Sequence, residues 1–213
     1  MFRIFLVILL VSLQVPVARA DVSTAPILIL GDSLSAAYRI PPQSGWVNLL
    51  QKRLQSAHPA RSVVNASISG ETTAGGLARI NELLVEHKPG IVVVELGAND
   101  ALRGLPLATP RENLARIISL VQKADARVLL IGIEIPINYG PQYRDGLRDM
   151  YRDLGAEFNV PLVPFLLEGV ALDDNLMQAD GLHPTAAAQP RVLENVWPEL
   201  EKLAGKRGVA SGE

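Results

Sequence analysis

The chain has 213 residues, with 20 Lys and Arg against 22 Asp and Glu, a formal charge of −2, and no cysteine. The lack of cysteine excludes a disulfide scaffold, a thiol nucleophile and Cys-ligated zinc or iron–sulfur centres, and the slight acidity argues against a nucleic-acid binder. With 48% hydrophobic residues the chain is not disordered, and its length suits one domain.

Residues 1–20 begin Met-Phe-Arg, run apolar over 4–13 and end Val17-Ala18-Arg19-Ala20. A positive start, a short apolar region and an A-x-A-like end describe a secretory signal peptide. The apolar run is too short to cross ~30 Å of hydrocarbon. The expected product is therefore an exported single domain over 21–213, without a stable membrane anchor.

Beyond the leader, short apolar runs alternate with amphipathic segments. Residues 25–30 form a run ending at Gly31, as in strands buried on both faces of a parallel sheet. Val47, Leu49, Leu50 and Leu54 predict a helix over 46–56, and 62–65 a short strand. Leu77, Ile80, Leu83 and Leu84 lie on one stripe of a helix over 74–87, which Pro89 and Gly90 stop. Residues 91–96 read as a strand, 113–124 as a helix, 128–133 as a strand and 143–158 as a helix. A short strand over 161–164 and a helix over 185–203, irregular at Pro190, complete the series. Residues 204–213 read as a loose tail. Strands separated by helices of this length imply an α/β fold with a mostly parallel sheet covered on both faces.

In such sheets ligands bind beyond the carboxyl ends of the strands, and four polar strings fit those positions. Gly31-Asp32-Ser33-Leu34-Ser35 follows the first strand and Asn65-Ala66-Ser67-Ile68-Ser69-Gly70 the second. Gly97-Ala98-Asn99-Asp100 follows the third, and Asp180-Gly181-Leu182-His183-Pro184 precedes the last helix. Taken singly each has an ordinary explanation: Ser33 as a helix cap, Gly70 and Asn99 as turn residues. Of the three histidines, only His183 has an acid three residues upstream in an apolar-flanked loop. Together they make a catalytic set. His183 can take the proton of the Ser33 hydroxyl, and Asp180 can hold the other ring nitrogen. The N–H groups of Ser33 and Gly70 and the amide of Asn99 can receive an oxyanion. Spacing suggests no further ligands for a metal at Asp180 and His183. No Gly-x-Ser-x-Gly and no phosphate-binding glycine fingerprint occurs. Asn65-Ala66-Ser67 matches a glycosylation sequon, but its place at a strand end reads as coincidence.

These four blocks, in this order, resemble those of the GDSL family, also called SGNH hydrolases. Ser33, Gly70, Asn99 and His183 stand at the four namesake positions, with Asp180 completing Asp-x-x-His. The longer strings Asn65 to Gly76, Glu95 to Gly104 and Met177 to Pro184 resemble the single-domain bacterial branch of thioesterases, lysophospholipases and arylesterases. The resemblance implies a flavodoxin-like α/β/α fold with five parallel strands and a catalytic triad of Ser33, Asp180 and His183. It also implies an oxyanion hole of Ser33, Gly70 and Asn99, no cofactor, and hydrolysis of small-molecule acyl esters or thioesters in the periplasm. Nothing demands more than a monomer. A carbohydrate O-acetylesterase and a non-catalytic ligand-binding module are the competing readings. Asp32 and Asp100 are expected to hold loops rather than to serve His183. The apolar stretches at 100–110, 135–141 and 165–167 are either an acyl-binding wall or ordinary loop anchors.

Overall fold

A computed structural model describes residues 24–205. Five parallel strands, β1 (Ile27–Gly31), β2 (Val63–Asn65), β3 (Ile91–Glu95), β4 (Arg127–Ile131) and β5 (Leu162–Val163), form one sheet in the order β2-β1-β3-β4-β5. Ile27 faces Val63 on one side and Ile91 on the other, and Ile91 faces Arg127. Every residue of β1 and β3 is buried. This explains the Ile, Leu and Val runs over 27–30 and 91–94, since both faces are covered.

Two helices cover one face: α1 (Trp46–Ala57) lies on β2, and α6 (Gln189–Gly205) on β4 and β5. On the other face, α2 (Thr73–His87), α4 (Ala108–Lys123) and α5 (Pro141–Glu157) pack side by side. A single turn, α3 (Ala98–Leu102), leads from β3 toward α4. Local chemistry sets the ends of α2. Thr72 Oγ1 accepts from the Gly75 N–H at the start, and Lys88 takes a left-handed conformation (φ 44°) before Pro89 at the stop.

The order 2-1-3-4-5 is the flavodoxin-like arrangement expected, and the strands agree with the sequence reading to within a few residues. Three differences have physical causes. Helix α4 starts at Ala108 rather than 113, because Pro110 fits a first turn that needs no N–H bond, while the apolar stripe begins only at Leu114. Pro190 is not an irregularity inside the last helix. It lies in the first turn of α6, and Pro198 is the proline inside that helix. Ala204 and Gly205, assigned to the tail, complete α6, and Ala204 is buried. The signal-peptide segment 1–20 and the tail residues 206–213 lie outside the described residues.

Where β4 ends, Gly132 lets two backbones approach closely. A Cβ at this position would sit 2.3 Å from the carbonyl oxygen of Pro164, which is main chain and cannot swing aside. Gly132→Ala is expected to cost about 1–3 kcal/mol through this overpacking. An unchanged urea midpoint would show that β4 and the β5 loop separate freely.

Candidate active site

The strand order reverses between β1 and β3, and the crevice this leaves at their carboxyl ends holds the polar strings. Ser33 follows β1 in a tight turn, in which the N–H groups of Ser35 and Ala36 both bond to the Asp32 carbonyl. Gly70 takes φ +82°, and a Cβ there would meet nothing within 4 Å among the described residues. Asn99 lies in α3. Asp180 and His183 sit on a small hairpin closed by an antiparallel bridge between Met177 and Pro184. The Gln178 N–H bonds to the His183 carbonyl at 2.7 Å. The Gln178 side-chain amide donates to the carbonyls of Pro184 and Tyr38, each at 3.0 Å. Gln178 thus ties the histidine hairpin to the segment after Ser33.

The structure brings all five residues singled out in the sequence to this crevice. His183 Nε2 is 2.8 Å from Ser33 Oγ, and His183 Nδ1 is 2.9 Å from Asp180 Oδ2. Asp180 Oδ1 also accepts from the N–H groups of Leu182 and His183, each at 3.0 Å. Desolvation pushes the Asp180 carboxyl up, but the two N–H bonds and the imidazole outweigh it and hold it at about 2. An ionised carboxylate only accepts, so Nδ1 carries the proton in the neutral ring and Nε2 accepts from the Ser33 hydroxyl. The N–H groups of Ser33 and Gly70 have no acceptor among the described residues. Asn99 differs: its amide already donates to Asp32 Oδ2 at 3.0 Å and to the Glu71 carbonyl at 2.9 Å.

Two buried acids lie beneath the serine turn. Glu95 Oε2 accepts from the Asp32 N–H at 3.2 Å and from Ser35 Oγ at 2.7 Å, while Oε1 has no partner among the described residues. Burial pushes Glu95 well above the usual carboxyl range, and the Asp32 charge adds to it. Burial also raises Asp32, to about 7, against the pull of the Leu34 N–H and the Asn99 amide. Asp32 has donors on both oxygens. We therefore assign the negative charge of this pair to Asp32 and the proton to Glu95. Asp100 accepts from the N–H and hydroxyl of Thr73 at 2.9 and 2.6 Å, which pins the start of α2 to α3. Asp32 and Asp100 therefore hold loops, as their turn positions suggest. The Asn65 amide donates to the Ser35 carbonyl and its Oδ1 accepts from Ser67, so the sequon asparagine is committed to the loop.

A cavity of about 380 Å³ opens over Ser33 and His183, walled by Leu34, Leu102, Ile133, Ile135, Pro136 and Leu167. Leu102, Ile135, Pro136 and Leu167 come from the three apolar stretches noted in the sequence. Leu105 does not reach it, and Leu107 lines a separate open groove with Tyr139 and Tyr143. Side chains lock the wall in place. Tyr139 and Tyr143 donate to the carbonyls of Leu102 and Leu105 at 2.7 and 2.6 Å. Arg144 donates to the Ile135 carbonyl, and Arg144 and Arg148 both pair with Glu134. Sequence reasoning missed Tyr38, Glu95 and Gln178, each defined by a partner distant in the chain, and Glu134, defined by arginines 10 and 14 residues further on.

A flavodoxin-like sheet with a Ser-His-Asp line at its topological switch point defines an α/β protein with the geometry of a serine hydrolase. Residues 29–190 match the GDSL-like Lipase/Acylhydrolase family, and the chain belongs to that family. It is 52% identical over 177 residues to esterase TesA of Pseudomonas aeruginosa, covering 83% of this chain and 88% of that protein. It is 44% identical over 194 residues to thioesterase 1/protease 1/lysophospholipase L1 of Escherichia coli, covering 91% of this chain and 90% of that one. Among solved structures, the psychrotrophic esterase EstA from Pseudoalteromonas sp., inhibited by monoethylphosphonate, superposes with a TM-score of 0.81 at 39% identity, covering 85% of this chain and 99% of that one.

The protonated Glu95 carries a testable cost. Above its ordinary value of 4.5 the unfolded chain gives up this proton and the native protein keeps it. Stability therefore falls with rising pH, by up to about 1.4 kcal/mol per unit, until the native group titrates. Glutamine at this position keeps the accepting carbonyl and removes the titration. Glu95→Gln is expected to gain stability relative to the parent as pH rises from 5 to 8, measured by urea unfolding. Parallel pH curves would show that Glu95 is ionised in the native protein.

Proposed function

We propose that this protein hydrolyses carboxylic esters and thioesters through an acyl-enzyme on Ser33. The observation that carries this is the Ser33–His183–Asp180 line, with bonds of 2.8 and 2.9 Å, at the mouth of an apolar cavity. The names of the relatives, an esterase and a thioesterase/lysophospholipase, support the same reaction class.

In the first step Ser33 Oγ attacks the acyl carbonyl while its proton passes to His183 Nε2. Asp180 stabilises the imidazolium that results. The carbonyl oxygen becomes an oxyanion, received by the N–H groups of Ser33 and Gly70. It also draws the Asn99 proton now shared with the neutral Glu71 carbonyl, while Asp32 keeps the other. Collapse breaks the bond to the leaving group, which takes the proton from His183. Water, deprotonated by His183, then attacks the acyl-enzyme; the Ser33 Oγ–acyl bond breaks, Ser33 takes the proton back from His183, and the acid is released. Every group the reaction needs comes from side chains and backbone N–H.

The apolar wall of Leu102, Ile133, Ile135 and Pro136 favours an acyl chain over an acetylated sugar, since among the described residues Tyr38 is the one Phe, Tyr or Trp side chain lining this cavity. A non-catalytic binding module would have no use for the Asp180–His183–Ser33 register. The leader-like residues 1–20 support export, and we place the enzyme in the periplasm as a monomer with one domain over 21–213.

Ser33→Ala is expected to leave only the residual turnover of binding and oxyanion stabilisation. Asn99→Ala should lower kcat about 10²–10³-fold. Both are read on p-nitrophenyl esters from acetyl to palmitoyl, with kcat/KM rising beyond acetyl. Full kcat in Asn99→Ala would remove it from the oxyanion hole. A maximum at acetyl would favour the sugar acetylesterase.

A further inference from the structure

The proposed mechanism leaves one side of the cavity unassigned. His183 Nε2 must pass its proton to the oxygen or sulfur of the leaving group, so that group departs along the histidine. Of the apolar wall, Leu102 comes from α3 and Ile133, Ile135 and Pro136 from the loop after β4, which run on to α4 and α5, while Leu34 and Leu167 close it from the segments after β1 and β5. The histidine side is built instead from segments that run on to α1 and α6, on the opposite face of the sheet. There the Tyr38 ring packs on the His183 imidazole with centroids 4.4 Å apart and planes at 39°. Tyr38 also lines the cavity. The Arg39 guanidinium stands 5.0 Å from the Tyr38 ring centroid.

Two features mark this pair as more than loop filling. Tyr38 is flanked by Ala37 at φ 57° and Arg39 at φ 54°, a left-handed conformation that such residues rarely adopt. Backbone of this kind persists where the surroundings enforce it, and it clusters at functional sites. The Gln178 amide bonded to the Tyr38 carbonyl supplies part of that enforcement. In addition, Arg39 is exposed and makes no ion pair among the described residues. The carboxylate of Glu134, which also lines the cavity, is already committed to Arg144 and Arg148.

We propose that Tyr38 and Arg39 form the leaving-group subsite, Tyr38 as its floor beside His183 and Arg39 as the cation that selects phosphate-bearing leaving groups. A guanidinium pairs with phosphate oxygens through two parallel N–H bonds, and stacking on Tyr38 restrains it before substrate arrives. The proposal rests on the hydrolase reading above and adds its leaving-group preference. The phosphate can belong to coenzyme A or to a glycerophosphate.

The test compares three substrates with one octanoyl chain: the p-nitrophenyl ester, octanoyl-coenzyme A and 1-octanoyl-glycerol 3-phosphate. In Arg39→Gln the ratio of kcat/KM for a phosphate-bearing substrate to that for the p-nitrophenyl ester is expected to fall about five- to tenfold, the scale of one partly exposed charged hydrogen bond. A fall confined to one phosphate substrate identifies the leaving group. In Arg116→Gln, on the surface of α4, the ratio should stay within about twofold. An unchanged ratio in Arg39→Gln, or an equal fall in both variants, would overturn the subsite. Tyr38→Phe should keep the rate per titrated active site, whereas Tyr38→Leu should lower kcat. Equal rates per site in both would remove the ring from the subsite. Ester hydrolysis surviving in Ser33→Ala would instead overturn the hydrolase mechanism itself.

Discussion

The site depends on one contact, the 2.8 Å bond between Ser33 Oγ and His183 Nε2, which joins residues 150 positions apart. Neither partner is placed by its neighbours in sequence alone. Ser33 is held at the end of a strand buried on both faces, and His183 on a hairpin that packs beside it only because the sheet is complete. The Gln178 amide joins the segments that carry them, bonding the carbonyls of Tyr38 and Pro184. A loop alone could not hold such a register. A parallel sheet with its strand ends aligned can, and this is the physical content of the rule that α/β sites gather at the switch point.

Beneath the serine turn, charge is arranged with economy. Asp32 faces Asn99 and the Leu34 N–H, and Glu95 faces the Asp32 N–H and Ser35. Burial disfavours charge on both carboxyls, and the charge of Asp32 further disfavours ionising Glu95. Asp32 has donors on both oxygens and carries the charge, and Glu95 stays neutral. The negative charge then lies where it orients the Asn99 amide. The proton lies where only shape and hydrogen bonding are needed. Burying these groups lowers stability at neutral pH, as expected when polar groups are kept for a site rather than for the fold.

Much of this architecture was readable in the sequence, for reasons specific to each part. Strands β1, β3 and β4 stood out because burial on both faces forces unbroken apolar runs. Ser33, Gly70 and Asn99 stood out because polar strings interrupted the pattern where strands should end, and His183 because Asp180 stands three residues upstream of it in a loop before the last helix. What stayed hidden depends on distant partners or unusual backbone. Glu95 looked like an ordinary strand residue, since nothing local shows that Ser35 and Asp32 meet it. Tyr38 was invisible because Ala37 and Arg39 carry none of the glycine or asparagine signals of left-handed turns. The single turn α3 is too short for any periodicity to register.

The claim that Ser33 is a nucleophile activated by His183 is tested most directly by a fluorophosphonate, with intact mass and peptide mapping as readouts. The account predicts one adduct per chain, on Ser33, formed rapidly in the parent protein and far more slowly in His183→Ala. An adduct on another residue, or equal labelling rates in the two proteins, would contradict it.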